Sequence, residues 1–366
     1  ADLVSMARPF LADPDWVVKA FSGRADEINT CIACNQACLD HTFTRQLASC
    51  LVNPRACRET ELLPAVLPGK KHIAVVGAGP AGMAFALEAA RRGHRVTLFD
   101  RQSRIGGQFN IARQIPGKAE FNETLRYFSV QLALAGVELC LGREVSVAEL
   151  NGGDYHEVVI AAGIRPRRPD IPGVDHPKVL PYLDVFRGKA EGRNIAIIGA
   201  GGIGFDVAEY LLHGPESHGP DPVVRFMAHW GVDMTLQQPG GLAVGTAAAP
   251  ARRQLYLLQR KNGKLGANLG KTTGWIHRAE LKRAGVQMLD GCDYLRVDDQ
   301  GLHLKVRGEY RLLDVDQVII CAGQEPERGL LAGLTKPYHL IGGADEATEL
   351  DAKRAIEQGT RLGLRI

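Results

Sequence analysis

Apolar and polar positions sort this chain into short uniform runs and longer spaced ones. From Ile73 the run "IAVV" is wholly apolar, "GAGPAG" follows, "MAFALEAARRG" sets Ala, Leu and Met on one face, and "RVTLF" is a second apolar run ending at Asp100. Brief apolar runs bounded by glycine read as buried strands. The spaced stretch between them reads as a helix with a basic last turn at Arg91 and Arg92 and a stop at Gly93. The pattern predicts one β-α-β unit.

The same grammar returns at residues 194–214, "NIAIIGAGGIGFDVAEYLLHG". Two further segments echo each other as strand, Ala-Gly, then proline: "VVIAAGIRPRRPDIPG" at 158–173 and "VIICAGQEPERG" at 318–329. They read as the returns of two related nucleotide-binding folds. From His213 to Arg252 the chain is rich in Gly, Pro and Ala with weak periodicity. A loop of that length inside a compact domain is functional or an insertion, and the pattern assigns it no element.

Composition narrows the class. The 366 residues suit two or three domains, and 44 Lys and Arg against 41 Asp and Glu leave a net charge of +3 with no long block of one sign. Nucleic acid is therefore not an expected partner. No apolar run is long enough to cross a bilayer and no signal sequence is evident, so a soluble cytoplasmic protein without a membrane partner is expected. Of the 8 cysteines, five fall between Cys31 and Cys57, which fits a reducing compartment better than a disulfide scaffold. Cys140, Cys292 and Cys321 stand in apolar runs and read as small core residues.

The first glycine loop, which includes Pro80 and Ala81, gains a mechanism from its context. Gly77 permits the turn, Gly79 lets a pyrophosphate approach the backbone, and Gly82 lets helix and strand pack closely, with the helix N-terminus facing the anion. Asp100 then accepts hydrogen bonds from an adenosine ribose. In the second loop Gly199, Gly201 and Gly204 take the same roles. Its following strand, "QLYLL", ends in Gln259, Arg260 and Lys261 with no acid, which favours a 2′-phosphate and hence NADPH. Two dinucleotide sites imply hydride transfer from a nicotinamide to a flavin, with FAD in the acid-bearing site. Gly106, Gly107 and Gln108 supply a small-residue stretch for a flavin ring, and Gly343 and Asp345 are placed to close the same site; either segment also reads as a plain strand-to-helix turn.

The cysteines of "CIACNQACLD" and "RQLASC" run C-x2-C-x3-C-x11-C, giving Cys31, Cys34, Cys38 and Cys50. Three ligands on one tight loop and one remote suit a [4Fe–4S] cluster. Structural zinc is the alternative the spacing leaves open, and a thioredoxin-like use of Cys31 and Cys34 would not need the other two. Cys57 is then a spare.

These motifs together, with "CLVNPRAC", "IGGQFNIARQIPGK", "LGKTTGWIHR" and "ELDAKRAIEQGTRLG", resemble the bacterial NADPH-dependent 2,4-dienoyl-CoA reductases, relatives of trimethylamine dehydrogenase and old yellow enzyme. The resemblance implies that "MARPFLADP" ends an N-terminal (β/α)8 barrel, where Ala7 and Arg8 contact an FMN phosphate. It implies FAD contacts at Gln36, Ala81, Asp100, Gln108, Lys118 and Val145, and NADPH contacts at Arg260, Lys261 and Trp275. For Trp275 a buried core aromatic is the competing reading. The expected fold is α/β, two Rossmann-like domains: barrel end 1–28, iron–sulfur segment 29–68, FAD domain 69–188 and 326–366, and an inserted NADPH domain 189–325. The resemblance further implies an electron-input half, passing electrons from NADPH to FAD to [4Fe–4S] to FMN, with reduction of unsaturated acyl-CoA left to the missing barrel. No catalytic acid or base is assigned; His41, His277 and His339 read as structural or surface residues. An amine dehydrogenase or enoate reductase of the same superfamily is the nearest rival, and a nonenzymatic nucleotide- or zinc-binding fragment the rival of another class.

Overall fold

A computed structural model describes residues 2–66, 69–213, 223–243, 253–348 and 351–366. The chain divides into a first unit of residues 1–113, 120–165 and 324–366 and a second of residues 114–119 and 166–323.

The first unit opens with three short helices, α1 (Arg8–Ala12), α2 (Trp16–Phe21) and α3 (Leu39–Phe43). Buried Asp13 ties this segment together by accepting from Lys19 Nζ at 2.7 Å and from the Asn29 backbone N–H at 2.8 Å. Then come β1 (His72–Val76), α4 (Pro80–Arg91), β2 (Arg95–Asp100), α5 (Phe109–Ala112), α6 (Phe121–Leu134), β3 (Glu138–Leu141), α7 (Val147–Gly152) and β4 (Glu157–Ile160). All of β1 is buried, as the uniform apolar run predicts for a parallel strand covered on both faces.

β5 (Ile164–Pro166) leads into the second unit, which holds β6 (Val179–Pro181), α8 (Tyr182–Val185), β7 (Asn194–Ile198), α9 (Gly202–His213), α10 (Val223–His229), β8 (Gln254–Leu258), α11 (Gly274–Arg283) and β9 (Gln287–Leu289). It continues through β10 (Cys292–Asp298), β11 (Gly301–Val306), β12 (Glu309–Leu313) and β13 (Gln317–Ile320). The chain returns by β14 (Gln324–Pro326), which pairs with β5, and finishes the first unit with β15 (Tyr338–Leu340) and α12 (Ala352–Arg365).

Each unit is built on a five-stranded sheet, ordered β15-β4-β1-β2-β3 in the first and β6-β13-β7-β8-β9 in the second. Every pairing recorded in both is parallel. The second adds an antiparallel sheet, β10-β11-β12, whose Val297, Leu302 and Leu304 pack with Ile198, Val318 and Ile320 of the parallel sheet. β4 stands beside β1 as β13 stands beside β7, which is the structural content of the two echoing segments.

The second unit begins at Pro166, earlier than the expected boundary at 189, because β6 pairs with β13. It also claims residues 114–119, since Ile115 is buried with Ile195 and Phe205. In the stretch the pattern left unassigned, α10 precedes a turn organised by Asp233, whose carboxylate accepts the backbone N–H groups of Thr235, Gln237 and Gln238; residues 214–222 and 244–252 lie outside the described residues. Among the described residues no helix is long and apolar enough to cross a membrane.

Helix α4 is apolar almost all round because it is covered by more than its sheet. Small residues let α12 approach it: a Cβ on Gly359 would lie 2.3 Å from the Ala81 carbonyl oxygen, and one on Gly363 2.7 Å from Glu88 Cβ. Gly359→Ala should therefore destabilise the protein by about 1–3 kcal/mol through overpacking. Gly152→Ala, where an added Cβ meets nothing within 4 Å, should stay within about 0.5 kcal/mol of the parent or above it. Urea midpoints followed by circular dichroism check the pair.

Candidate cofactor sites

In the first unit the strand-to-helix turn is set by contacts that exclude side chains. Gly77 has φ +111°, and a Cβ there would lie 2.2 Å from the Ala161 carbonyl oxygen at the end of β4. A Cβ on Gly82 would lie 1.9 Å from the Gly77 carbonyl oxygen, so α4 rests directly on the turn. Gly79 differs: the nearest atom to its Cβ position is Gly107 Cα at 4.0 Å. It is the helix N-cap, has no side-chain cap and is followed by Pro80. The first N–H groups of α4 are thus left for a ligand or water.

Asp100 closes the turn from the next strand. Its Oδ2 accepts the Ala78 N–H at 2.7 Å and its Oδ1 the Gln102 N–H at 2.8 Å. Each carboxylate oxygen retains a further lone pair, the capacity a ribose hydroxyl needs. The "RIGGQF" segment lies against the same turn: the Gly106 N–H donates to the Ala78 carbonyl at 2.7 Å. Gly107, at φ +49°, would place a Cβ 3.0 Å from Gly79 Cα, and Gln108 caps α5.

At the C-terminal end of this unit the close approach is made by Gly342, which the sequence reading did not single out. Its Cβ position is 2.8 Å from Ala81 Cβ, and its N–H donates to Gln358 Oε1 at 2.7 Å. Gln358 Nε2 in turn donates to Asp345 Oδ2 at 2.9 Å. Gly343 is buried in the same turn. Val145 is buried with Phe99 and Leu150, so its side chain belongs to the core. Gln36 lies in the cysteine loop, and its Oε1 is buried without a partner.

The second unit repeats the turn. Gly199 has φ +113° with its Cβ position 2.5 Å from the Cys321 carbonyl oxygen, Gly204 would clash with the Gly199 carbonyl oxygen at 1.9 Å, and Gly201 has nothing within 4 Å. Arg260 and Lys261 follow β8, as expected. Lys118 belongs to this unit and meets Asp206 of α9 at 2.6 Å. His277 Nδ1 lies 2.6 Å from Glu209 Oε1, and that hydrogen bond raises the His277 pKa above its ordinary value against the opposing effect of burial. Trp275 is 58% exposed, which overturns the core-aromatic reading. His41 and His339 are both partnered, His41 Nδ1 with the Leu47 carbonyl at 2.8 Å and His339 Nε2 with Glu157 at 3.1 Å.

The four cysteines of the N-terminal segment border one cavity, together with Arg8, Leu11, Ile32 and Leu51 among others. Ala33 and Asn35, on either side of Cys34, have φ +52° and +59°. Such left-handed steps turn successive backbone N–H groups to one side. Arg8 Nη1 donates to Asn35 Oδ1 at 2.8 Å, so Arg8 is placed on the cysteine loop; Ala7 is the exposed N-cap of α1. All eight cysteines are free thiols. Burial pushes Cys34 up to about 12 and Cys50 up to about 11, while backbone N–H groups, from Gln36 in the first case and Val52 and Asn53 in the second, oppose the rise. Among the described residues no three His, Cys, Asp or Glu are arranged to hold a metal ion. Of the isolated cysteines Cys292 is fully buried, while Cys140 and Cys321 are partly so.

Residues 71–341 match the family described as pyridine nucleotide-disulphide oxidoreductase. A metal reductase from Desulforamulus reducens is 35% identical over 354 residues, which are 94% of this chain and 51% of that relative. A cinnamate reductase from Clostridium sporogenes is 27% identical over 331 residues, 90% of this chain and 44% of the relative. Among solved structures, a 2-naphthoyl-CoA reductase is 26% identical with a TM-score of 0.84, covering 100% of this chain and 50% of that one. The chain spans about half the length of these relatives.

Two predictions follow from the geometry. Gly79→Ala and Gly201→Ala have room for the methyl group, so each should change stability by no more than about 0.5 kcal/mol. Each should nonetheless weaken dinucleotide binding at its own turn at least about tenfold, by fluorescence titration with FAD and with NAD(P)H. The raised His277 pKa gives stability that is full below about pH 6.5, the unfolded value, and is lost as pH rises through the folded one. Urea unfolding should show stability falling above that point, and His277→Gln should remove this slope.

Proposed function

Since the chain belongs to the pyridine nucleotide-disulphide oxidoreductase family and is a flavin-dependent NAD(P)H oxidoreductase, we propose that it is the electron-input half of an NADPH-dependent reductase of activated carbon–carbon double bonds. The finer form of this reading is 2,4-dienoyl-CoA reduction in fatty-acid β-oxidation, in a cytoplasmic enzyme with FAD, a [4Fe–4S] cluster and, in its remaining half, FMN. The observation that carries it is the repeated glycine turn: two cradles with the same contacts, one followed by Asp100 and the other by Arg260 and Lys261.

The glycine turn of the first unit suits the group assigned to it. Asp100 would hold the FAD ribose, the open side of Gly79 and the N-terminus of α4 its pyrophosphate, and Gly107 and Gln108 its flavin end. FAD, when bound, supplies the exchange between a two-electron hydride donor and one-electron carriers. Cys31, Cys34, Cys38 and Cys50 would hold the cluster. Their shared cavity suits it; burial raises the Cys34 and Cys50 pKa values, and the backbone N–H groups that oppose this rise are of the kind that tune such centres through hydrogen bonds to sulfur. The eight unpaired thiols suit a reducing compartment.

In the second unit, the chain's own work is orientation. The N-terminus of α9 faces the open side of Gly201, where a nicotinamide dinucleotide would place its pyrophosphate. Arg260 and Lys261 favour a 2′-phosphate electrostatically over a bare ribose, which argues for NADPH and against an amine dehydrogenase, whose electrons come from its substrate. An acyl thioester as acceptor draws support from the 2-naphthoyl-CoA reductase and an unsaturated acid from the cinnamate reductase.

The test is an anaerobic optical titration of the FAD- and iron-reconstituted chain with NADPH, and with NADH in parallel. NADPH should bleach the flavin and then, more slowly, the cluster absorbance, with NADH at least about tenfold less effective. Bound flavin that neither nucleotide bleaches would remove the input role. Equal bleaching by both would remove the 2′-phosphate assignment alone.

A further inference from the structure

The second unit carries a cleft of about 690 Å³ lined by Arg260, Asn262 and Gly263 after β8, Asp290 and Gly291 after β9, and Arg307 at the β11–β12 turn, with Cys292, Asp293 and Gly308. Backbone bonds tie its three walls together. The Arg307 N–H donates to the Gly291 carbonyl at 2.9 Å, the Gly291 N–H to the Lys261 carbonyl at 3.3 Å, and the Gln259 N–H to the Leu289 carbonyl at 2.9 Å. A Cβ on Gly291 would lie 2.4 Å from Asn262 Oδ1 and 3.1 Å from Arg307 Cγ, so the loops are in close contact.

Asp290 is shared between two of these walls. Its Oδ2 accepts the Gly263 N–H at 2.7 Å and its Oδ1 meets Arg307 Nη2 at 2.7 Å. Both interactions, the Gly263 bond foremost, hold the carboxyl below its ordinary pKa. Arg307 itself is 70% exposed and sits at φ +50°, a backbone region that residues other than glycine rarely adopt. The carboxylate engages one guanidinium nitrogen, and a guanidinium carries five N–H donors. Among the described residues Arg260 and Lys261 have no carboxylate partner. An anion entering beside Arg260 therefore meets one cation without a carboxylate partner and a second, Arg307, whose carboxylate is already committed to the neighbouring loop. Lys261 is next in the chain, and the Asp293 carboxylate is also on the lining.

We propose that Arg307, reaching the cleft from the antiparallel sheet, is a third cation of the 2′-phosphate site, and that Asp290 positions both it and the Arg260–Lys261 loop. The inference rests on the NADPH reading and adds a specificity residue far from the strand end where sequence patterns place such residues. Arg307 would contact the 2′-phosphate; Asp290 acts through Arg307 and the Gly263 N–H.

The test measures binding of 2′,5′-ADP and of 5′-AMP by calorimetry to the full chain and to Arg307→Ala, Arg307→Lys, Arg260→Ala and Asp290→Asn. The expected result is a wild-type preference for 2′,5′-ADP that Arg307→Ala lowers about tenfold with 5′-AMP unchanged. Arg307→Lys should restore part of it, and Asp290→Asn should fall between. Wild-type affinity for 2′,5′-ADP in Arg307→Ala, alongside its loss in Arg260→Ala, would overturn the role of Arg307 and leave the NADPH reading standing. Equal loss of both probes in Arg307→Ala would also overturn it, since a structural residue would act that way. No preference for 2′,5′-ADP in the parent would overturn the NADPH reading and this inference with it.

Discussion

A hydrogen atom where every other residue has a carbon is what both units depend on. At Gly82 and Gly204 the first turn of a helix lies so close to the preceding loop that an added Cβ would be 1.9 Å from a carbonyl oxygen. This closeness fixes the helix relative to the strand. The positive end of the helix dipole and its free N–H groups then converge on the open glycine of each loop. Were the helix to retreat by the width of a methyl group, the strand, the turn and the anion cradle would no longer share one geometry.

Identity between the cradles makes the charges beyond them decisive. Both loops offer a pyrophosphate the same backbone. Asp100 adds a negative charge that also holds the Ala78 N–H, so the residue that would receive a ribose also sets the loop. In the second unit the corresponding strand ends in Arg260 and Lys261. The cost of desolvating a phosphate is offset there by cations, whereas it would be raised beside a carboxylate. On the proposed reading, one scaffold used twice would separate two nucleotides by sign alone.

Much of this was legible in the residues themselves. The glycine spacings, the acid ending β2, the cations after β8 and the strand echoes all report local geometry, and local geometry is what pattern reading captures. The contacts it missed join residues far apart in sequence: Gly342 against Ala81, Gln358 with Asp345, and Asp290 with Arg307. No spacing marks these, because each partner looks like an ordinary turn or surface residue until the sheets bring them together. The domain boundary near Pro166 escaped for the same reason, since β6 is three residues long and is identified as a strand only by its pairing with β13. At Trp275, read as an NADPH contact with a buried core aromatic as the alternative, only the alternative fails, because its place on α11 leaves it largely exposed.

The order of the strands has a consequence for biosynthesis. The second unit's main stretch, residues 166–323, is continuous, whereas the first awaits β15 to flank β4 and α12 to cover α4. On a ribosome the inserted unit emerges whole while the unit that encloses it in sequence still lacks a strand and a helix. Assembly of the enclosing unit is thus a late event, with the apolar surface of α4 exposed to chaperones, or to aggregation, until α12 leaves the exit tunnel.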